Sequence, residues 1–265
     1  MDIFSGLILG AVQGLTEFLP ISSSGHLILV REVLGIQTEF GLSVDAVLQL
    51  ATSLAILLYF WRDFWGIAVS AWNWLRGHTI PSKDGILLGA LAIGTIPAVI
   101  LGLLLEDMMM TSFRNVELVA WTLLLGAALF WVAERLSKKT QDLNLKRGFW
   151  IGMFQSLALI PGMSRSGVTI AGGLLLGLSR EEATRFAFML GFPIIFGSGM
   201  KKTLELGSNH GLAQLGLPLL ISAVTAFVVG IVAMHFMVRY LKNHSLNIFI
   251  FYRIALAILI FVFIV

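Results

Sequence analysis

Long apolar runs alternate with short polar breaks along this chain, and the runs are of two kinds. Six are uninterrupted and near the ~20 residues an α-helix needs to cross a bilayer. They lie at 42–61, 84–105, 116–136, 180–200, 212–238 and 246–264. A shorter apolar piece, 64–76, carries Trp65, Trp72 and Trp74 and is expected to lie along the membrane interface. The other kind is broken at its middle. Residues 3–34 contain Pro20 and then Ser22-Ser23-Ser24-Gly25; residues 148–177 contain Pro161-Gly162 and then Ser164-Arg165-Ser166-Gly167. Proline lacks an N–H and disfavours helical geometry in the residue before it, so both runs are predicted to be helix-turn-helix hairpins. Non-helical backbone at membrane depth survives only where protein or a water-filled cavity surrounds it, which makes each turn a candidate site.

The two broken runs align with each other without a gap. Gln13 pairs with Gln155, Leu15 with Leu157, Ser22 with Ser164, Ser24 with Ser166 and Gly25 with Gly167. Downstream, Leu42-Ser43-Val44-Asp45 resembles Leu178-Ser179-Arg180-Glu181. The chain therefore reads as a single membrane domain, 1–265, made of two repeats, about 1–136 and about 143–265. Each repeat is a re-entrant hairpin followed by three spans, and an odd number of spans turns the second copy upside down. The expected fold class is an all-α polytopic membrane protein with two inverted-topology repeats. Such repeats, with broken helices meeting near the midplane, are a known way to build an intramembrane polar site.

Composition agrees: 57% of the residues are hydrophobic and 12% charged, against about half and a quarter in soluble domains. The absence of cysteine excludes disulfides, thiolate metal sites and cysteine nucleophiles together. The net charge of +3 is small, and no basic stripe with interleaved aromatics suggests a nucleic-acid partner. Met1-Asp2 lacks a basic leader and Gln13 and Glu17 interrupt the first apolar run, so no cleaved signal peptide is expected. The basic residues serve topology instead. One side holds Arg62, Arg76, Lys83, Arg135, Lys138, Lys139, Lys146, Arg147, Arg180, Arg185, Arg239 and Lys242; the other holds Arg31, Arg114, Lys201 and Lys202. The positive-inside rule makes the first set cytoplasmic, opens the first hairpin to the outside and puts both termini outside.

Few polar residues remain to carry chemistry. Gln13 and Glu17 are four apart and share one helix face. A carboxylate inside an apolar helix is costly, so Glu17 should face a cavity and have a partner. Ser22-Ser23-Ser24-Gly25-His26 opens the second arm of its hairpin, where helix N–H groups and hydroxyls make a ready phosphate site. His26 adds a group that can shuttle a proton or attack. Arg165 lies in the middle of the second broken run, and its planar fork suits phosphate oxygens. A purely structural pairing of Arg165 with Glu17 across the repeat interface is compatible with that role. The copies are unequal: Glu17 and His26 align with Leu159 and Val168, and Ser23 aligns with Arg165. An enzyme has more reason than a symmetric transporter to divide its polar residues this way. Asp45 and Glu181 look like first-turn acids at helix starts, and His235 and Arg253 sit singly in late spans and read as structural. There is no Walker loop, zinc helix or nucleophile elbow.

Gln13-Gly-Leu-Thr-Glu17-Phe-Leu-Pro20-Ile-Ser-Ser-Ser-Gly25-His26 and Pro161-Gly-Met-Ser-Arg165-Ser-Gly167 resemble the two signatures of the bacitracin-resistance family of undecaprenyl-diphosphate phosphatases. The resemblance covers essentially the whole chain. It implies hydrolysis of undecaprenyl diphosphate to undecaprenyl phosphate and phosphate, recycling the carrier lipid for peptidoglycan at the outer face of the cytoplasmic membrane. It also implies a divalent cation, Mg²⁺ or Ca²⁺, with Gln13 and Glu17 as metal residues. Gln13 stands where the family often has Glu, which leaves one ligand neutral. Glu17, Ser23, His26 and Arg165 become the expected catalytic residues. Ser22, Ser24, Gly25, Ser164, Arg165, Ser166 and Gly167 become the expected phosphate-binding set. The acceptor would be Ser23 or His26, or a water activated by Glu17 or His26; Ser23 assisted by His26 is preferred. An apolar groove between spans would hold the isoprenoid tail. Partners expected are undecaprenyl diphosphate and membrane lipid, with no nucleic acid and a homodimer left open. The rival readings are an inverted-repeat lipid or ion transporter and a lipid-binding structural protein.

Overall fold

The computed structural model describes residues 1–36, 40–77, 82–106, 108, 115–138, 140–208 and 211–264, so Arg114 and Lys139 lie outside the described residues. Helices α1 (Ile3–Phe18) and α2 (Ser23–Leu34) form the first hairpin. Then come α3 (Gly41–Tyr59), α4 (Trp61–Leu75), α5 (Ser82–Leu104) and α6 (Val116–Leu136). The second hairpin is α7 (Leu145–Ser156), a 3₁₀ turn (Leu157–Leu159) and α8 (Arg165–Leu175). The chain ends with α9 (Arg180–Ser208), α10 (Gly211–Asn243) and α11 (Asn247–Phe263). Among the described residues there is no strand.

Five helices are long and apolar enough to cross a membrane: Gly41–Tyr59, Lys83–Leu104, Val116–Leu136, Arg180–Ser208 and Gln214–Asn243. The sixth expected span is α11, whose 17 residues sit at the short end of the spanning range. The hairpin arms are shorter. At 1.5 Å per residue, α1 is about 24 Å long and α2, α7 and α8 are each about 18 Å or less, against a ~30 Å hydrocarbon core. α9 continues past its expected end at 200 to Ser208, and in that extension Lys201 and Lys202 reach Glu106, Lys201 at 2.8 Å. α10 is kinked at Gly216 (φ 45°, ψ −131°), two residues before Pro218.

Ion pairs gather at two opposite sets of helix ends. At one lie Arg180–Glu134, Arg185–Asp63 (2.7 Å) and Lys242–Glu181 (3.7 Å); at the other lie Arg31–Asp45 (2.6 Å) and the Glu106–lysine pairs. Asp45 is thus the partner of an arginine in the hairpin, not the first-turn acid that the sequence suggested: α3 has no acid in its first turn. Glu181 does lie in the first turn of α9. In α4, the guanidinium of Arg76 stacks over Trp72 at 4.6 Å and the exposed indoles face outward, as expected of an interfacial element.

Each hairpin's first arm packs on a helix of the other half. α1 lies on α10, where a Cβ on Gly6 would stand 2.7 Å from the Pro218 carbonyl oxygen and one on Gly14 2.6 Å from that of Ala226. α7 lies on α5 in the same manner, with Gly148 against Ala90 and Gly152 against Gly94. Small residues let backbones approach where lipid supplies no hydrophobic drive to pack. The second arms differ: every residue of α8 from Ser166 to Leu174 is buried, whereas α2 buries only Gly25, Leu27 and Leu29.

Candidate active site

The two hairpin turns meet. α1 ends at Phe18, and the chain turns through Leu19–Ile21 into Ser22 at φ 77°, ψ 98°. The second turn reaches Ser164 at φ 69°, ψ 106°. These are the two non-glycine residues with positive φ among the described residues, an uncommon conformation for an L-residue. Each caps the following helix. Ser22 Oγ accepts from Gly25 N and Ser164 Oγ from Gly167 N, both at 3.3 Å, which satisfies a first-turn N–H. Ser22 Oγ also accepts from Gly162 N at 3.1 Å and so joins one turn to the other.

Over that junction lies one ion pair. Glu17 Oε1 accepts from the Arg165 guanidinium. Glu17 Oε2 accepts from Gln13 Nε2 at 2.8 Å and from Ser23 Oγ at 2.6 Å. Gln13 Nε2 also lies 3.4 Å from Thr52 Oγ1, while Gln13 Oε1 is buried with no hydrogen-bond partner. The Glu17 side chain is 5% exposed and that of Arg165 17%, so the pair is largely closed off and Arg165 is the less buried partner. The Arg165 guanidinium lies against Gly191 of α9, where a Cβ would strike it.

His26 stands apart from this cluster. Its Nδ1 is 2.7 Å from the Ser22 carbonyl oxygen and its Nε2 2.7 Å from the Tyr252 hydroxyl. Next to Tyr252 on α11, Arg253 is fully buried. It donates to the carbonyls of Pro20 (3.4 Å) and Gly162 (2.8 Å) in the two turns and to those of Leu123 (3.1 Å) and Thr122 (3.0 Å) in α6. Its guanidinium lies 4.9 Å from the Phe130 ring centroid, and among the described residues it has no carboxylate partner. The carbonyls and the ring take the place of one.

The family described as "Bacitracin resistance protein BacA" matches residues 6–259. The chain belongs to that family. Three curated relatives sharpen the placement. The undecaprenyl-diphosphatase of Thermobifida fusca is 41% identical over 98% of this chain and 89% of its own length. That of Desulforudis audaxviator is 41% identical over 99% of this chain and 98% of its own. Undecaprenyl-diphosphatase 1 of Corynebacterium jeikeium is 42% identical over 96% and 92%.

For this member of the bacitracin-resistance family, the structure brings together Gln13, Glu17, Ser23 and Arg165 and sorts the remaining candidates by what occupies them. Ser22 and Ser164 spend their hydroxyls as caps, and the amides of Gly25 and Gly167 are those caps' donors. Ser166 Oγ lies 3.4 Å from the Leu19 carbonyl and 3.3 Å from Ser164 Oγ. Ser23, Ser24, His26 and Arg165 keep partly open surface. The Ser23 hydroxyl bonds to Glu17 and not to His26, because Ser23 begins α2 directly above the end of α1 while the His26 ring turns back to the Ser22 carbonyl. Sequence reasoning missed Thr52, Thr122 (whose hydroxyl donates to the Pro161 carbonyl at 2.6 Å) and Tyr252, while Arg253, read as structural, is the residue that ties the two turns together. An arginine and a tyrosine side by side within an otherwise apolar helix were the available signal. A groove of about 740 Å³ between α6 and α11, bounded by Trp131, Phe251 and Arg180, includes none of the site residues.

Proposed function

We propose that this chain hydrolyses undecaprenyl diphosphate to undecaprenyl phosphate and inorganic phosphate, with Glu17, Ser23 and Arg165 as its reacting centre. The observation that carries this is a serine hydroxyl bonded to a buried carboxylate with an arginine on that carboxylate's other oxygen, in a chain whose relatives are named undecaprenyl-diphosphatases. Phosphoryl transfer needs mainly positioning and charge stabilisation. Arg165, the more exposed of the pair, moves its free N–H groups onto the terminal phosphate. Glu17 then takes the Ser23 proton as Ser23 Oγ bonds to phosphorus; the P–O–P bridge breaks and undecaprenyl phosphate leaves with the bridging oxygen. Water hydrolyses the phosphoserine, and Glu17 returns the proton to Ser23 Oγ. Removing the pyrophosphate form of the carrier lipid accords with the resistance in the family's name.

A divalent cation fits this donor set only with help from the substrate. Glu17 offers a carboxylate and Gln13 an unpaired buried amide oxygen, and no cluster of three His, Asp or Glu stands among the described residues. Mg²⁺ is commonly held by one or two such groups plus phosphate oxygens. When bound, it would neutralise charge on the diphosphate.

The hairpins are read as re-entrant, within two inverted repeats. Arms too short to cross alone, matching serine caps and the reciprocal packing of α1 on α10 and α7 on α5 support this. The ion-paired helix ends rich in Lys and Arg are assigned to the cytoplasm, so the Ser23 side of the site opens outward in the cytoplasmic membrane.

Phosphate release from undecaprenyl diphosphate by the purified protein in detergent tests the activity, and chelator followed by added Mg²⁺ or Ca²⁺ tests the cation. Release is expected, silenced by chelator and restored by metal. Lipid flux in vesicles without phosphate release would return the transporter reading. For sidedness, the cysteine-free chain allows Ser24→Cys and Lys242→Cys to be labelled in intact cells with an impermeant thiol reagent. Only the first should react.

A further inference from the structure

His26 is a candidate base, yet both its ring nitrogens are occupied. A carbonyl can only accept, so Nδ1, 2.7 Å from the Ser22 oxygen, carries the ring proton. Nε2 then holds the ring's single free lone pair. That lone pair is taken by the Tyr252 hydroxyl at 2.7 Å, which must be the donor. The two rings lie 13° from parallel with centroids 5.7 Å apart, stacked and offset, with the phenol oxygen at the imidazole edge that carries Nε2. Tyr252 is 42% exposed, while its neighbour Arg253 is buried and fixed to the carbonyls of both turns. Tyr252 is thereby anchored, through its neighbour, beside the two turns that carry Glu17 and Arg165.

We propose that His26 acts only through Tyr252, and that Tyr252 is a further catalytic residue: a proton relay between the attacking water and the imidazole. This rests on the phosphatase reading above. In the hydrolysis of phosphoserine, the water oxygen bonds to phosphorus and its proton passes to the Tyr252 oxygen. In the same step the phenolic proton passes to His26 Nε2. The P–Oγ bond breaks, Ser23 Oγ recovers its proton from Glu17, and inorganic phosphate leaves. The imidazolium then returns its proton through Tyr252 to solvent, so the cycle balances. A phenol suits this position because it donates to neutral Nε2 and accepts from protonated Nε2 without any ring having to swing.

The test is Tyr252→Phe, His26→Gln and the double variant, in purified protein, with kcat and KM for phosphate release. A direct role for His26 makes a clear contrary forecast: Tyr252→Phe frees Nε2 and leaves kcat intact or raises it. The relay requires kcat to fall about 100-fold with KM nearly constant. It also requires the double variant to be no worse than either single one, as for residues acting as a unit. Histidine-selective ¹⁵N NMR should show His26 in the Nδ1–H form, with the Nε2 resonance moved in Tyr252→Phe. Full kcat in Tyr252→Phe, additive losses, or a His26 protonated at Nε2 instead of Nδ1 would each overturn the relay alone. No phosphate release by the wild-type protein would overturn the phosphatase reading and the relay together.

Discussion

In the first hairpin the chain passes through Ser22 at φ 77° and caps α2 with a 3.3 Å bond; in the second it passes through Ser164 at φ 69° and caps α8 with a bond of the same length. Even the secondary contacts match, Ser22 Oγ to Ser24 Oγ at 3.4 Å and Ser164 Oγ to Ser166 Oγ at 3.3 Å. What surrounds this common frame does not match. The first turn carries Glu17, Ser23 and His26; the corresponding positions in the second carry Leu159, Arg165 and Val168. The first turn leads into a mostly open α2, the second into a wholly buried stretch of α8. Two identical acidic turns would face carboxylate with carboxylate at the junction, and two identical basic turns would face arginine with arginine. Opposite charges meet there because the two turns differ at these positions, one leading into a buried helix and the other into a more open one.

Making the first turn resemble the second should have the largest effect. Glu17→Leu removes the acceptor of Ser23 and leaves Arg165 without its partner. Phosphate release should fall on the order of 1,000-fold, and unfolding in detergent should show a loss of about 3–5 kcal/mol from the unpaired charge. If Glu17→Leu retains activity, the division of labour between the hairpins is wrong. Arg165→Lys keeps the charge but loses the fork, so kcat should fall about 100-fold with a much smaller stability change. Arg253→Met acts on both turns at once. Leaving the Pro20 and Gly162 carbonyls without a donor should cost about 1–3 kcal/mol each, and hydrogen exchange should quicken in both turns together. Faster exchange in one turn only would show that Arg253 serves one hairpin and not the pair. The smallest effect separates the caps. Glycine tolerates positive φ and replaces a serine cap at a cost of a few tenths of a kcal/mol, so Ser164→Gly should be nearly neutral. Ser22→Gly also frees Gly162 N, and its unfolding free energy should be lower by about 1 kcal/mol more.

Much of this frame was legible in the order of apolar and polar residues. Run length placed α6 at 116–136, because a spanning helix has to be apolar for a length set by the bilayer, and the proline and glycine breaks inside two further runs located both hairpins. The Glu17–Arg165 pair was legible too, since buried charges require partners and few were available. The partner of Ser23 was not. It depends on how a turn of a few residues folds back on itself, which hydrophobic pattern does not encode. Thr52, Thr122 and Tyr252 were hidden for another reason: each enters from a helix far away in the chain, and the pattern of an apolar run does not say which of its few polar side chains turns toward the site. Asp45 misled because an acid near a helix start looks the same whether it complements the helix dipole or an arginine across the gap.

The shared arginine bears on whether the molecule can rock. To uncover the junction first from one leaflet and then from the other, the two turns would have to separate. That movement breaks Ser22 Oγ from Gly162 N, pulls Arg253 from one turn's carbonyl and parts Arg165 from Glu17. A buried ion pair broken in place costs about 3–5 kcal/mol, and each buried hydrogen bond adds roughly 1 kcal/mol. At 1.4 kcal/mol per factor of ten, the parted form would be populated on the order of once in 10⁴ to 10⁵ molecules. The hairpins behave as a keystone seated from both sides, and the junction between them stays closed.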